Sequence, residues 1–344
     1  MVAALDGPTG DPGRIHEEGL SARAAVETAR DRVATFFGCR SSREVVFTSG
    51  ATEAIATAVH GAAARGAHQV LTAVEHSAVR LSAEAIGRTT VVPVDALGRV
   101  DVDALAAAIE PDTSCVHVQW GNHEVGTVQP VAAAVAACHE RGVLVHVDAA
   151  QANGHVAIDF AALDADLVSV SAHKLGGPPG IGALLVRRGL RLPPLLRGGD
   201  QERARRAGLE NVPAIVGFGA AVASIDLTAE GTRQRSLTDR ILERVDLVPY
   251  GDPVDRLPHL VCFGVPGIEP QAVLLGLDRA GIAAHSGSAC SSEALEPSPV
   301  LAAMGVDAHR SLRVSVGWST TDDDVDAFVD AVPRIVASLR RLSG

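Results

Sequence analysis

Over the first 220 residues, short apolar runs rich in β-branched residues alternate with longer alanine-rich stretches. This alternation is typical of a parallel sheet covered by helices, because strands buried on both faces are apolar throughout. We predict seven strands, at residues 44–48, 69–74, 90–94, 114–120, 143–147, 167–171 and 182–186. Helices are expected at 22–37, 54–64, 131–140 and 212–224. The first of these has Ser21 as its expected N-cap and Gly38 as its C-terminal stop.

Beyond residue 224 the pattern changes. Residues 226–239 are mostly polar and are interpreted as a bridge into a second, smaller α+β domain, with strands at 259–263 and 311–316 and a helix at 270–280. A final helix is expected from Asp322, with Thr321 as its N-cap and three aspartates in its first turn that complement the helix dipole. A chain of 344 residues exceeds a typical single core. We therefore predict a large domain over residues 16–224 and a small one over 225–344.

Composition narrows the class of function. A net charge of -11 argues against nucleic-acid or anionic-membrane binding, which depends on basic patches. There is no basic segment followed by a long apolar run at the N-terminus, and no uncharged apolar stretch of about 18 residues, so we expect a cytoplasmic protein without a membrane span. The five cysteines are an odd number without a C-x-x-C pair. We therefore expect no disulfide framework and no metal site.

Lys174 is the only lysine among 30 basic residues. An amine can lose its proton near neutral pH and condense with a carbonyl, whereas a guanidinium stays charged. That is the chemistry of a Schiff base with pyridoxal phosphate. The alternative is an ordinary surface lysine in an arginine-biased chain.

Several polar residues follow predicted strands, at the sheet edge where open α/β sheets bind ligands. The segment 48–53, with Ala51 and Thr52, joins a strand to a helix and suits a phosphate. Asp148 could pair with a pyridine nitrogen, and His76 could lie on an aromatic ring and move protons. His123 adds a polar group to the same rim. Each of these features is also explained by helix capping or an ordinary surface position.

Two further candidates lie late in the chain. Cys290 stands among small polar residues at 286–292, where a thiol is better placed for nucleophilic attack than for core packing. Arg313 alternates with apolar residues on a predicted strand and could bind a substrate carboxylate through paired hydrogen bonds. A surface arginine is the alternative for any one of the 29.

Taken in order, these motifs resemble the class V aminotransferase group of pyridoxal-phosphate enzymes, and within it the cysteine desulfurases that supply sulfur for iron–sulfur clusters and thiolated tRNA. The resemblance extends from Gly10 to about Ala337, and its most specific parts are residues 171–180, 198–202 and 287–298. It implies the fold type I architecture of such transferases, a mainly parallel seven-stranded sheet between helices, and a homodimer. The expected ligands are pyridoxal phosphate and L-cysteine, and a protein is expected to accept the sulfur.

Residue roles follow from the same resemblance. It implies that Lys174 holds the cofactor as a Schiff base, that Asp148 pairs with the ring nitrogen and that His76 stacks on the ring. Gln151 contacts the ring oxygen. The phosphate is bound by the Ala51–Thr52 turn, Ser171 and His173. The substrate carboxylate is bound by Arg313, with His123 nearby. Cys290 attacks the sulfur of the bound cysteine, which leaves a persulfide on the enzyme and alanine as product.

Three positions depart from the family pattern. His123 stands where the family usually has asparagine, so substrate preference or pH dependence is expected to differ. Leu209 replaces a threonine that reaches the phosphate of the neighbouring subunit, which is expected to weaken cofactor binding by about 1 to 2 kcal/mol. The usual opening strand is absent, so residues 1–15 are expected to be a shortened N-terminal segment.

Other functions stay open at this point. A related carbon–sulfur or carbon–selenium lyase, acting on selenocysteine or on a sulfoxide, would need no persulfide cysteine. A degenerate homologue that binds cofactor or partners without turnover is a second alternative. A nicotinamide dehydrogenase is disfavoured because the glycines at 217–219 lack a third glycine and fall within a predicted helix.

Overall fold

The computed structural model describes residues 1–6, 10–286 and 297–343. The chain divides into two compact units. The first comprises Met1–Val92, Val102–Trp120 and Pro130–Asp226, and the second comprises Pro93–Asp101, Gly121–Gln129 and Leu227–Gly344. The sequence prediction placed a domain boundary after residue 224 and assigned 93–101 and 121–129 to the large domain. The N-terminal residues 1–6 and 10–15 group with the first unit.

The first unit is built on a seven-stranded sheet with the order β1-β7-β6-β5-β4-β2-β3. Neighbouring strands from β6 to β3 are parallel, whereas β7 runs antiparallel to both β6 and β1. The predicted α/β class and mainly parallel sheet are confirmed. The strands are β1 Val45–Thr48, β2 His68–Thr72, β3 Arg88–Val92, β4 Thr113–Gln119, β5 Leu144–Asp148, β6 Leu167–Ser171 and β7 Gly182–Val186. Each lies within two residues of its expected ends.

In the sequence of the first unit, helices lie before, between and after the sheet strands. They are α1 Val2–Leu5, α2 Glu17–Phe36, α3 Ala51–Ala63, α4 Ser77–Ile86, α5 Val102–Ala107, α6 Val131–His139, α7 Phe160–Leu163, α8 Gln201–Ala204 and α9 Val212–Ser224. Two 3-10 turns, Ser42–Glu44 and Ala172–Leu175, complete the unit. Apolar residues of α3 pack with residues of β1, β6 and β7 in one buried cluster and with β2 and α4 in another. These contacts bury one face of the sheet.

The start of α2 differs from the prediction. Its N-cap is His16, not Ser21, because the His16 ring accepts a hydrogen bond from the Gly19 N–H at 3.2 Å. Glu17 and Glu18 then occupy the first turn, where acidic side chains are favourable. The predicted end of the helix is correct, since Gly38 follows it with a left-handed φ of +61°.

The second unit contains a three-stranded antiparallel sheet with the order β10-β9-β8, from β8 Val248–Tyr250, β9 Leu260–Gly264 and β10 Ser311–Ser315. Its helices are α10 Leu227–Arg244, α11 Pro270–Arg279, α12 Pro299–Ala303 and α13 Asp322–Ser343. The polar stretch predicted as a bridge is part of α10, which buries Leu237 and Ile241 in the core of this unit. Thr321 caps α13 as expected, because its Oγ1 accepts from the Asp324 N–H at 3.2 Å.

Among the described residues, no single helix is long and apolar enough to cross a membrane, although the consecutive pair α9 and α10 meets that criterion when counted together.

Candidate active site

The candidate residues of the first unit follow strands that end at one edge of the sheet. Strands β1, β2, β5 and β6 run in the same direction, because β1 and β6 both pair antiparallel with β7. Thr52 follows β1, His76 follows β2, Asp148 ends β5 and Lys174 follows β6. The carboxyl edge of an open α/β sheet is the usual place for a ligand. Topology alone therefore places these four residues where a cofactor would bind.

Helix α3 begins directly after β1, with Gly50 as its N-cap. A Cβ on Gly50 would meet no atom within 4 Å, whereas a Cβ on Gly182 would lie 2.7 Å from the Gly50 carbonyl carbon. The backbones at positions 50 and 182 are therefore so close that position 182 requires glycine. The space on the side of Gly50 where a Cβ would lie is open. Ala51 is half-buried and Thr52 is exposed in the first turn. The first N–H groups of a helix carry partial positive charge, which suits a phosphate.

Lys174 lies on the 3-10 turn Ala172–Leu175, immediately after β6. Gly176 ends this turn with a φ of +81°, which glycine adopts without strain. The Lys174 Nζ donates a hydrogen bond to Gln151 Oε1 at 3.0 Å. The structure thus joins two residues that the sequence assigned to the same site from motifs 23 positions apart.

Ser171 and His173 stand beside this lysine. The Ser171 Oγ and the His173 Nδ1 are 2.8 Å apart. Burial, and secondarily the charge of Lys174, lowers the pKa of His173. Asn153, which the sequence analysis missed, fixes the end of β6: its Oδ1 accepts from the Ser171 N–H at 2.8 Å and its Nδ2 donates to the Ser171 carbonyl at 3.3 Å. Its position two residues after Gln151 was the available signal.

Asp148 and His76 complete the set at this edge. Asp148 is 7% exposed, and its Oδ1 accepts from the Ala150 N–H at 3.0 Å. The His76 Nδ1 accepts from the Ala78 N–H at 3.1 Å and so caps α4. Because Nδ1 is an acceptor, a neutral His76 carries its proton on Nε2. His76 therefore lies at the carboxyl edge of the sheet and also caps α4, a role that was not predicted for it.

Glu75 is a second residue that the sequence analysis did not single out. Its Oε1 accepts from Thr72 Oγ1 at 2.7 Å and from the Gln119 N–H at 2.9 Å. Within the described part of the chain, its buried Oε2 has no hydrogen-bond partner. Burial is the main cause that raises the pKa of Glu75 to about 8, and the nearby charge of Asp148 raises it further. Glu75 is therefore mostly protonated at neutral pH.

Arg313 and His123 both belong to the second unit and are in contact. The Arg313 Nη1 donates to the His123 carbonyl oxygen at 2.9 Å, and the Arg313 backbone pairs with that of His285. The His123 Nε2 lies 3.6 Å from Glu124 Oε1. Buried Glu124 accepts from the Ser298 Oγ through its other oxygen at 2.5 Å. Glu124 and Ser298 therefore support the position of His123, which the sequence alone did not reveal.

Four of the five cysteines, Cys39, Cys115, Cys138 and Cys262, are free thiols in the described residues. Burial raises the pKa of the Cys39, Cys138 and Cys262 thiols to about 12, and it raises the pKa of Cys115 well above its ordinary value. None of the four has the low pKa of a reactive thiol. Cys290, the predicted nucleophile, lies outside the described residues.

Leu209 lies beside a cavity of about 140 Å³ in the first unit, which is also lined by Thr48, Ser49 and Arg206. The Arg206 guanidinium is paired with Glu53, with Nε 2.9 Å from Oε1. Leu209 is 64% exposed. The chain therefore presents an apolar side chain where the family resemblance led us to expect a hydroxyl donor.

The groups at the sheet edge of the first unit fit pyridoxal phosphate. A primary amine suits an aldehyde, a carboxylate suits a protonated pyridine nitrogen, and an imidazole suits the face of the ring. The open N-terminus of α3 and the Ser171–His173 pair offer hydrogen-bond donors for a phosphate. The buried Oε2 of Glu75 is one more polar atom at this edge, and it has no hydrogen-bond partner among the residues that the structure describes.

Comparison with known proteins agrees with this description. Residues 9–328 match the family model for class V aminotransferases, so the chain belongs to that family. It is 43% identical to a cysteine desulfurase of Gluconacetobacter diazotrophicus, over 97% of this chain and 88% of the relative.

Two solved structures extend the similarity to three dimensions. A NifS-like protein aligns with a TM-score of 0.91 at 30% identity, over 98% of this chain and 94% of that one. A structure of SspA in complex with cysteine aligns with a TM-score of 0.80 at 28% identity, over 91% of this chain and 92% of that one. The fold type predicted from the motifs is confirmed.

Proposed function

We propose that this protein is a pyridoxal-phosphate-dependent cysteine desulfurase, which converts L-cysteine to L-alanine and passes the sulfur to an acceptor. The observation that carries the proposal is the only lysine of the chain, whose Nζ is held 3.0 Å from Gln151 Oε1 on the turn that follows β6. Asp148 and His76 lie at the same sheet edge. The relatives named cysteine desulfurase support the choice of reaction.

Pyridoxal phosphate, when bound, supplies an electron sink that acidifies the α-carbon of the amino acid and weakens its carbon–sulfur bond. Lys174 removes the α proton and later returns a proton to the product. Asp148 keeps the ring nitrogen protonated, and His76, whose Nδ1 accepts from the Ala78 N–H, stacks on the ring. The Ala51–Thr52 turn, Ser171 and His173 bind the phosphate, and Gln151 contacts the ring oxygen.

Arg313 is proposed to bind the carboxylate of the cysteine. Its guanidinium donates to the His123 carbonyl through Nη1, which helps to fix the side chain, and the planar guanidinium suits paired hydrogen bonds with a carboxylate. His123 is proposed to lie beside the substrate. Its imidazole is bulkier than an asparagine side chain, so it is expected to affect the choice of substrate.

Cys290 is proposed as the nucleophile. Its thiolate attacks the sulfur of the substrate, so that a sulfur–sulfur bond forms as the Cβ–sulfur bond breaks and its electron pair returns toward the carbon. The persulfide stays on Cys290 and alanine leaves. The raised thiol pKa values of the four described cysteines support this assignment, because none of the four is suited to nucleophilic attack. Homodimerisation, transfer to an acceptor protein and a cytoplasmic location are parts of the same proposal.

The test is to incubate the purified enzyme with pyridoxal phosphate, L-cysteine and then a thiol reductant. Alanine and sulfide are measured, and the protein is mapped by mass spectrometry before reduction. We expect one added sulfur on the Cys290 peptide and equal yields of alanine and sulfide. Cys290→Ala should lose both, while the matched variant Cys39→Ala should keep them.

The outcomes separate the alternatives. If Cys290→Ala releases sulfide as fast as the wild type, the protein is a carbon–sulfur lyase that needs no persulfide. If the wild type binds the cofactor but forms no alanine from cysteine, the desulfurase assignment is wrong.

A further inference from the structure

Four polar side chains form a continuous chain of hydrogen bonds across the core of the first unit. They come from four neighbouring strands, β2, β4, β5 and β6, and they are Gln69, His117, His146 and Ser169. None is more than 2% exposed. The distances are 2.9 Å from Gln69 Oε1 to His117 Nε2, 3.0 Å between the two histidine Nδ1 atoms and 2.8 Å from His146 Nε2 to Ser169 Oγ.

The direction of every bond in this chain follows from donor and acceptor chemistry. Gln69 Nε2 donates to the Val59 carbonyl at 3.0 Å, so its Oε1 is the atom that faces His117. An oxygen can only accept here, so His117 Nε2 carries the proton and its Nδ1 is the acceptor. His146 must then donate from Nδ1, and its Nε2 accepts from the Ser169 hydroxyl. The two histidines are therefore held in opposite tautomers.

Burial keeps both rings neutral. Desolvation lowers the pKa of His117 to about 3, and desolvation together with the neighbouring His117 lowers the pKa of His146 well below its ordinary value. A proton added to His117 would also place two N–H groups face to face across the 3.0 Å gap between the Nδ1 atoms, and one added to His146 Nε2 would force the Ser169 hydroxyl to reverse its bond. The chain of bonds therefore has one arrangement near neutral pH.

The end of the chain lies next to Asp148. His146 and Asp148 are two residues apart on β5 and so share one face of the sheet. Ser169 is the register partner of Asp148 on the neighbouring strand β6. His117 and Gln119 stand in the same relation on β4, where Gln119 is the register partner of Asp148. The network thus lies directly below Asp148 and reaches its level on β6.

We propose that the chain from Gln69 through His117 and His146 to Ser169 is a positioning network for Asp148. This role rests on the proposed function, in which Asp148 pairs with the ring nitrogen of pyridoxal phosphate. The network ties β5 to both of its neighbours by side-chain bonds, which lie directly below the carboxylate and reach its level at Ser169. It also commits every ring nitrogen and the Ser169 hydroxyl to bonds within the network, so these groups do not draw the carboxylate away from the ligand.

His68 provides a matched comparison for a merely structural role. It is fully buried like His117, and both of its ring nitrogens are hydrogen-bonded, to Thr113 at 2.7 Å and to Thr90 at 2.9 Å. It precedes Gln69 on β2, so its side chain lies on the opposite face of the sheet. Ser114 is the corresponding control for Ser169, because it is buried and donates to the His68 carbonyl at 3.0 Å.

The test uses three readouts: ring ¹⁵N NMR of the histidines in the apo protein, the Kd for pyridoxal phosphate, and the ¹⁵N shift of the ring nitrogen in labelled pyridoxal phosphate bound to the enzyme. We expect the Nε2–H tautomer for His117 and the Nδ1–H tautomer for His146, without titration between pH 5.5 and 8.5. His117→Leu and the milder Ser169→Ala should each raise Kd about tenfold and shift the ring-nitrogen signal toward the unprotonated form.

Control variants distinguish the positioning of Asp148 from a general loss of folding stability. His68→Leu and Ser114→Ala should lower the stability but leave Kd and the ring-nitrogen shift unchanged. His117→Gln, whose amide can accept from His146 and donate to Gln69, should keep the Kd and the ring-nitrogen shift at the wild-type values that His117→Leu loses. Equal effects of Ser169→Ala and Ser114→Ala on the ring nitrogen, or the opposite histidine tautomers, would overturn the proposal. A wild type that binds no pyridoxal phosphate would overturn the proposed function, and this role with it.

Discussion

Glu75→Gln tests the electrostatics of the candidate site. In the apo protein Glu75 is 6% exposed, and one of its carboxyl oxygens is buried without a partner in the described residues. Burial is the main cause of its pKa of about 8, compared with an ordinary value of 4.5. Because the folded chain holds this proton more tightly than the unfolded chain, the folded state is progressively destabilised as the pH rises from about 4.5 to about 8.

The magnitude follows from these two pKa values. Each pH unit in which only the folded chain is protonated costs about 1.4 kcal/mol of unfolding free energy. Between pH 5 and pH 8, Glu75 should therefore lower the stability of the wild type by about 3 to 4 kcal/mol. Glutamine is neutral at both pH values and can still accept from Thr72 and the Gln119 N–H through its amide oxygen. The variant should lack this component of the pH dependence.

The assay is urea unfolding of the apo enzymes, followed by circular dichroism at pH 5 and pH 8. Relative to the wild type, the unfolding free energy of Glu75→Gln should increase by about 3 to 4 kcal/mol between pH 5 and pH 8. Glu140→Gln, which removes a carboxylate at an exposed position, should show the same change in unfolding free energy between the two pH values as the wild type. A stability difference between Glu75→Gln and wild type that is the same at both pH values would show that the carboxyl is ionised throughout, and the reasoning would be refuted.

Three other substitutions have defined outcomes. Leu209→Thr should lower the Kd for pyridoxal phosphate about 5- to 30-fold in a fluorescence titration, and an equal change in the exposed control Leu275→Thr would contradict this. Ala204 has a left-handed φ of +60°, so Ala204→Gly should raise the unfolding free energy by about 1 kcal/mol, whereas Ala220→Gly within α9 should lower it by about as much. Asn153→Ala should cost about 2 kcal/mol and weaken cofactor binding, measured by thermal unfolding and titration; unchanged binding would refute its role at the end of β6.

Much of the fold was predictable because its signals are local. The buried strands are short segments rich in valine and leucine, and Gly38 stops α2 where expected. The errors have physical causes: His16 is an uncommon N-cap, so Ser21 was the better guess from propensity alone. The α10 helix is polar on most of its surface and buries only a narrow stripe that includes Leu237 and Ile241, so it was mistaken for a bridge.

The residues of the candidate site could be predicted where they belong to a sequence motif, but not where their role depends on packing in the folded chain. Lys174 was found because the chain contains no other lysine, and Asp148 because it ends a buried strand. Glu75 and the pair His117 and His146 could not be inferred from the same signals. Their significance depends on which strands are neighbours and on the directions of side-chain hydrogen bonds, and only the sheet order supplies that information.

The most direct test of the account is borohydride reduction of the enzyme after incubation with pyridoxal phosphate, followed by peptide mapping. The chain contains one lysine, so a Schiff base at a side chain can form at only one position. We predict a yellow protein with one reduced pyridoxyl adduct on the Lys174 peptide, and neither colour nor that adduct in Lys174→Arg. A colourless wild-type protein, or an adduct confined to the N-terminal amine, would show that Lys174 does not hold the cofactor.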